Sequence, residues 1–314
     1  MPKQWRKRLA VVKIESEYGV PSADMTGATI LEVMTLEGGT PYAGNTVERE
    51  RMRDGFGAFE QVNTGPYVER SVRVPLAGAG TAGEAPAYGP LLRACGLSET
   101  AEVGTSVVYQ PVSENHESVE MWWVEDGQVQ QINGARGTFS ITADAGGLPY
   151  IQFQMTGLYQ KTKAGGDASG ATPATQAKEL PVNKLNTTAT IGSHTACMSS
   201  LSLDLGGEVS YRNLINCESV HVSGRQVSGS TNIEAPDLAT VDYFAKVESH
   251  NGVSLETVTL THGTAAGNII ELKGDQVQLA SISPTDNNGI MHYDLDLRFL
   301  PSGANDDDFT LTYK

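Results

Sequence analysis

Apolar and polar side chains alternate along most of this chain with a period of two. Val68-Glu69-Arg70-Ser71-Val72-Arg73-Val74, Val119 to Val124, Gly137 to Ile141 and Ile151-Gln152-Phe153-Gln154-Met155 carry the pattern in the first half. Leu201-Ser202-Leu203-Asp204-Leu205, Ser219 to Val222, Val277-Gln278-Leu279, Tyr293 to Phe299 and Phe309 to Tyr313 carry it in the second. Successive strand side chains point to opposite faces, so this alternation predicts half-buried antiparallel strands. Helical spacing is confined to Ala87 to Cys95 and to Asp237 to Val247, where Leu238, Val241, Phe244, Ala245 and Val247 offer one apolar stripe.

Between the halves, Gln160 to Thr190 is rich in Gly, Ala, Ser and Thr and has no sustained period, which predicts a linker or a long surface arm. A weak repeat spans it. The strand around Val68 to Val74 leads through a Gly-rich stretch to Glu84-Ala85-Pro86 and a helix; Ser219 to Val222 leads through another to Glu234-Ala235-Pro236 and a helix. Later, Val129 to Gly134 and Ile269 to Gly274 each precede two strands. Recurrence of this order predicts a two-copy architecture: residues 1–160, a linker at 161–190, and residues 191–314.

Composition narrows the function. With 22 Lys+Arg against 37 Asp+Glu the formal charge is −15, which argues against a basic nucleic-acid-binding surface. Charged residues are 19% of the 314, below the average of about 25%, and 34 are Gly, which suits turns, strands and buried interfaces. No uncharged run is apolar enough to span a bilayer, and the apolar stretch Leu9 to Val12 is too short for a secretory signal. Cys95, Cys197 and Cys217 cannot all pair; free, mostly buried thiols in a reducing compartment are the expectation.

Candidate chemistry is sparse. Gly78-x-Gly80-x-x-Gly83 matches a dinucleotide fingerprint, but Pro86 and Pro90 leave no helix fit for a βαβ crossover, so a flexible connection is expected. His194-x-x-Cys197 and Cys217-x-x-x-His221 have the ligand types of tetrahedral zinc, without a knuckle turn at either place. Asp306-Asp307-Asp308 and Thr285 to Gly289 lack calcium-loop spacing, and Asn288-Gly289 is a hairpin signal. No nucleophile stands with a base, so no enzyme, metal or cofactor is expected. The segment Gly38 to Gln61 differs: Arg49, Arg51 and Arg53 alternate with acids, and Phe56 and Phe59 follow among glycines. Exposed aromatics beside mixed charge suit a protein–protein contact that orders on assembly.

Several motifs resemble the major tail tube proteins of long, flexible-tailed DNA bacteriophages. In the first half they are Arg6-Lys7-Arg8-Leu9-Ala10, Glu15-x-x-Tyr18-Gly19, Asn133-Gly134-Ala135-Arg136-Gly137-Thr138-Phe139-Ser140 and Pro149-Tyr150-Ile151-x-Phe153-x-Met155-Thr156-Gly157-Leu158-Tyr159. In the second they are Leu201 to Arg212, Glu234-Ala235-Pro236, His262 to Asn268 and Arg298-Phe299-Leu300-Pro301. The resemblance implies a mainly β chain with two tail-tube-type β-sandwich or barrel domains in tandem, each with a short flanking α-helix. It implies a structural protein of the virion tail, assembled in the host bacterial cytoplasm, whose rings stack into the hollow conduit for DNA ejection. Two tube domains per chain favour homotrimeric pseudo-sixfold rings over hexamers. Tape-measure, tail terminator and distal tail proteins are the implied partners, and DNA passes the lumen without specific binding. Arg49, Arg51, Arg53, Phe56 and Phe59 become candidates for contact between rings. The competing reading is a monomeric β-sandwich carbohydrate-binding or adhesive module, which the absence of an aromatic stripe weakens: adjacent Trp122 and Trp123 point to opposite faces of a strand.

Overall fold

The computed structural model describes residues 2–35, 38–303 and 305–314. The first half begins with β1 (Arg8–Ile14), β2 (Thr29–Ile30), a ribbon of β3 (Thr46–Glu48) and β4 (Gln61–Asn63), and β5 (Tyr67–Pro75). Helix α1 (Gly89–Ala94) and the hairpin β6 (Leu97–Glu102) and β7 (Ser106–Pro111) precede β8 (Val119–Glu125), β9 (Gln128–Asp144) and β10 (Tyr150–Leu158). The connecting segment carries β11 (Lys163–Ala164) and β12 (Thr172–Pro173). The second half opens with β13 (Thr187–Ile191), β14 (His194–Thr195), β15 (Met198–Asp204), and a ribbon of β16 (Gly207–Leu214) and β17 (Cys217–Arg225). It ends with β18 (Ser228–Glu234), α2 (Tyr243–Val247), β19 (Leu255–His262), β20 (Ile270–Asn287), β21 (Ile290–Phe299) and β22 (Thr310–Tyr313).

The expected alternation holds strand by strand. Val68, Val72 and Val74 of β5, Ile151 and Phe153 of β10, Phe139 and Ile141 of β9, and Leu201 and Leu203 of β15 are buried while their sequence neighbours face outward. These residues join one apolar core that runs through both halves, a β-sandwich rather than a closed barrel among the described residues. Two segments expected as separate strands are continuous. β9 has 17 residues and β20 has 18, because each runs on through a bulge: β9 leaves β8 to pair with β10 and β15, and β20 leaves β19 to pair with β21. The β8–β9 register shifts between Val119 and Met121, opposite Asn133-Gly134, and the β19–β20 register shifts between Glu256 and Val258, just after Gly274. Glycine is required at the first bulge: φ is 56° at Gly134, and a Cβ there would stand 2.8 Å from the Tyr18 ring.

Pairing order recurs. The first half runs β1-β8-β9-β10-β5 and the second β13-β19-β20-β21-β18, all antiparallel. Aligning the two lattices on the shared bulge places Gly157 at the position of Phe299 and Val68 at that of Val227. The Glu-Ala-Pro tripeptides are not the anchor: Glu234 closes β18, whereas Glu84 lies well beyond the end of β5. The sheets meet where β15 pairs with both β9 and β18, and again where β22 pairs with both β20 and β7.

Helix is scarcer than its periodicity suggests. Pro90 starts α1 and Gly96, at φ 84°, follows its end. At the second site Asp237 accepts from the Ala239 amide in a local turn, so the helix begins only at Asp242, whose carboxylate caps Ala245. The Gly-rich stretch is a point of close approach: Gly78 and Gly80 lie against Gly267, and a Cβ on Gly78 would meet the Gly267 carbonyl at 2.1 Å. Cys95 is buried as expected, but Cys197 and Cys217 are exposed, the second at the turn of the β16–β17 ribbon. The segment 161–190 is tied down at intervals: Lys163 and Ala164 pair with β9, Thr172 and Pro173 with β2, and Gln176 donates to the Pro75 carbonyl.

Candidate functional site

Seven strands in the order β5-β10-β9-β15-β18-β21-β20 present one continuous polar face opposite the core. One cross-strand row reads Arg73, Gln152, Ser140, Asp204, Ser228, Arg298. The next reads Tyr150, Thr142, Ser202, Ser230, Asp296, Ser281, and the third Asp144, Ser200, Asn232, Asp294, Ser283. Neighbours across strands satisfy one another: Arg73 donates to Gln152 at 2.9 Å, Ser202 and Ser230 hydroxyls meet at 2.8 Å, and Asn232 donates to Asp294 at 2.6 Å. Asp144, Asp204, Asp294 and Asp296 against Arg73 and Arg298 leave the face net negative. Such a surface offers hydroxyls and amides but no cationic track for phosphates.

The edges of the two halves differ. Beyond the end of β8, the edge of β9 is filled by β15, which pairs from Ser140 to Asp144. Beyond the end of β19, at Gln278, the equivalent edge of β20 has no strand partner among the described residues. Phe299 donates to the carbonyl of Val227, the residue just before β18, so alternate residues of β21 face β20, and counting through the register turns the backbone of Ile282, Pro284 and Asp286 toward the open side. Pro284 has no N–H, a device that blunts an exposed edge. Among the described residues the outer edge of β5 carries an irregular strap, with Met34 donating to Arg73, Glu69 to Thr40, and Ala43 bridging Tyr67.

The two ribbons also correspond. Each follows the strand or strap that borders β18 or β5, each has glycines at its root (Gly44 and Gly65; Gly207 and Gly224), and each pairing lattice shifts by one residue just past the root. β16–β17 is docked on the first half. Tyr211 packs on Tyr67 with centroids 4.8 Å apart and donates to the Pro66 carbonyl, and burial pushes its pKa up to about 12. The Val220 amide donates to the Tyr18 hydroxyl at 2.6 Å, and Arg136, lying over the Tyr18 ring, donates to the Val220 carbonyl at 2.8 Å. Glu15 holds this receiver in shape by accepting from Gly134, Gly19 and Ser118. The sequence motifs Glu15-x-x-Tyr18-Gly19 and Asn133 to Arg136 thus meet in one place. Periodicity could not show this, because the partner strand lies far along the chain.

β3–β4 reaches into solvent. The Arg49 guanidinium pairs with Glu60 at 2.7 Å and Gln61 donates to Glu48, both within the ribbon. Arg51 donates to the Glu50 carbonyl, while Arg53 donates to the Gly57 and Ala58 carbonyls and covers the Phe59 ring at 4.3 Å. Phe56 and Met52 are fully exposed. Of the five residues singled out in sequence, Arg53 and Phe59 therefore build the tip, and Phe56 is the aromatic it presents. The zinc-type set is dispersed: His194 bonds the Tyr243 hydroxyl, His221 bonds Ser219, Cys197 stands just before β15 in the large sheet, and Cys217 lies at the turn of the separate β16–β17 ribbon.

At the junction of the halves, the Tyr88 and Tyr313 hydroxyls are 3.0 Å apart and Tyr109 meets Tyr313 edge-on. Burial drives the Tyr313 phenol far above its usual range. Arg225, at the second ribbon's root, donates to Asp308 and Asp306 and to the Val112 carbonyl. Desolvation works against its charge, but the two carboxylates more than compensate.

The chain is thus a mainly β sandwich with a polar face, a strand edge open among the described residues and a projecting ribbon. A family model described as phage tail tube protein matches residues 5–301, and the chain belongs to that family, a component of the virion tail. No curated protein matches it.

Proposed function

We propose that three copies of this chain close into a ring and that stacked rings form the tail tube of a phage with a long, non-contractile tail. The observation that carries the reading is the unequal pair of edges. What β15 does for β9 inside the chain, the strap around Met34, Thr35 and Thr40 of a second copy does for β20, so that the sheet continues from copy to copy. Two tandem tube domains per chain, at 1–160 and 191–314 with the connector between them, then give six equivalent units around the ring. Closure removes the remaining edge, and a heterologous contact that closes is what produces a ring.

The polar face lines the lumen in this arrangement, where its net negative rows repel DNA phosphates and let the genome slide during ejection. Residues 52–57 stand where the β16–β17 ribbon has only the two-residue turn 215–216, so the tip of β3–β4 is four residues longer. That tip, shaped by Arg53 and Phe59 and presenting Phe56, reaches the adjacent ring. Assembly takes place in the host cytoplasm with tape-measure, terminator and distal tail proteins at its boundaries. Electron microscopy of purified protein at rising concentration tests the reading: rings and hollow tubes are expected, and a chain that stays monomeric throughout contradicts it. In a Phe56→Ala chain of unchanged thermal stability, tubes shorten; unaltered tubes would remove the tip from stacking.

A further inference from the structure

We propose that the stem of the β3–β4 ribbon lies across the second half of the neighbouring copy in the same ring, in the cleft bordered by Gly224, Gln226 and Arg298. This inference rests on the ring reading and names the partner surface within it. Inside the chain, the β16–β17 ribbon occupies a depression of the first half lined by Thr64, Gly65, Tyr67 and Thr156. The pairing lattices put Ser223, Gly224, Gln226 and Arg298 at those four places in the second half, and there the structure has an open cleft of about 690 Å³. The root of β16–β17 at Gly207 and Val222 to Arg225 forms one margin of it, with Ser113, Glu114 and His116 of the first half on another, and no residue of β3–β4 lines it among the described residues. The β3–β4 ribbon, whose stem matches β16–β17 residue for residue from its bulge outward, closes the hydrogen bonds of Glu48, Arg49, Glu60 and Gln61 on itself.

The correspondence is specific enough to name contacts. Val209 pairs with Val222 just past the bulge as Thr46 pairs with Asn63, so Tyr211 corresponds to Glu48, Asn213 to Glu50 and Val220 to Gln61. In place of the Tyr211–Tyr67 stack, the copy-to-copy contact sets Glu48 beside Gln226, and in place of Asn213 against Gly65 it sets Glu50 against Gly224. Long polar side chains replace the aromatic pair, as befits a surface that is solvated before assembly and paired after it. The ribbon cations Arg49 and Arg51 approach a cleft whose wall carries Glu114 and the Arg225-bound Asp306.

Cysteine pairs read this contact directly. A Cβ on Gly65 would lie 3.4 Å from the Asn213 Cβ, close to the roughly 3.5–4.5 Å of disulfides, so Gly65→Cys with Asn213→Cys closes a bond within one chain and serves as the control. The test pair is Glu50→Cys with Gly224→Cys, in a chain whose exposed Cys197 and Cys217 are replaced by Ser. Oxidised tubes of the test pair are expected to yield a covalent species that stops at three chains. A ladder running past three chains would make the contact one between rings, a bond inside a single chain would make it internal, and tubes without crosslinks would remove it; each overturns the proposal. Should the pair fail to assemble, hydrogen exchange on wild-type tubes decides: protection gained on assembly at both Val47 to Glu48 and Val222 to Gln226 is expected, and unchanged exchange at either contradicts it. A wild-type chain that forms no tubes defeats the ring reading itself, a result separate from all of these.

Discussion

The first half of this protein has its edge filled and its polar face crossed by a ribbon, whereas among the described residues the second half has the corresponding edge bare and the corresponding cleft open. Both halves use one pairing order and one bulge, so the difference lies in what covers them, not in how they are built. On the ring reading proposed above, a complete interface and a vacant copy of it sit side by side in one chain. The occupied half shows what the vacant half is made to receive.

Breaking the occupied side has the largest consequence, because it is also core. Leu203, on the strand that joins the halves, is 1% exposed, and Leu203→Ala is expected to cost about 2–5 kcal/mol in denaturant unfolding of the unassembled chain. Loss of the ring stack and hydroxyl bond in Tyr211→Ala costs less, about 1–2 kcal/mol, and raises hydrogen exchange along β16–β17 without melting the sheets. On the vacant side, Pro284→Thr restores an outward N–H. Stability of the free chain stays within about 0.5 kcal/mol, while tubes appear at lower protein concentration; an unchanged threshold would mean that this edge is not where copies meet.

A smaller, pH-dependent effect reads the root of the second ribbon. Burial alone would raise the Asp306 carboxyl, yet hydrogen bonds from Ser113 and Arg225 and the Arg225 charge hold it below the ordinary range. A depressed carboxylate stabilises above its unfolded value, about 3.9, and loses that contribution as pH falls through the lower folded value. In denaturation midpoints, wild type should exceed Asp306→Asn at pH 6, and the gap should close as pH falls from about 3.9 through the lower folded value. A gap that persists there would assign the effect to packing.

Most strands were legible from alternation, because β5, β10, β15 and β21 each bury one face and leave the other wetter, whereas β8 is buried on both faces. Joining Val129 to Gly134 with the strand that follows was not legible: a bulge interrupts the period at Asn133-Gly134, and the same local break looks like a strand end. The second helix was overestimated because its apolar spacing competes with a turn set by the Asp237 side chain. For the assembly surfaces, the charged ribbon at Arg49 to Phe59 stood out by composition. Its counterpart at Gly207 to Arg225 did not, since Ser, Val and His in alternation resemble any edge hairpin. The open edge of β20 is a statement about what fails to pair, and pairing across more than a hundred residues leaves no trace in local pattern. Tyr18, Glu15 and Arg136 were noticed as a resemblance, and only the fold shows why they belong together.

The most direct test of the account is the number of chains in one ring, measured by native mass spectrometry of isolated rings together with the rotational symmetry of tubes in cryo-electron microscopy. Two equivalent halves per chain predict a ring of three times 33.4 kDa with threefold symmetry and six similar lobes. A ring of six chains, each placing only one half around the lumen, would contradict it.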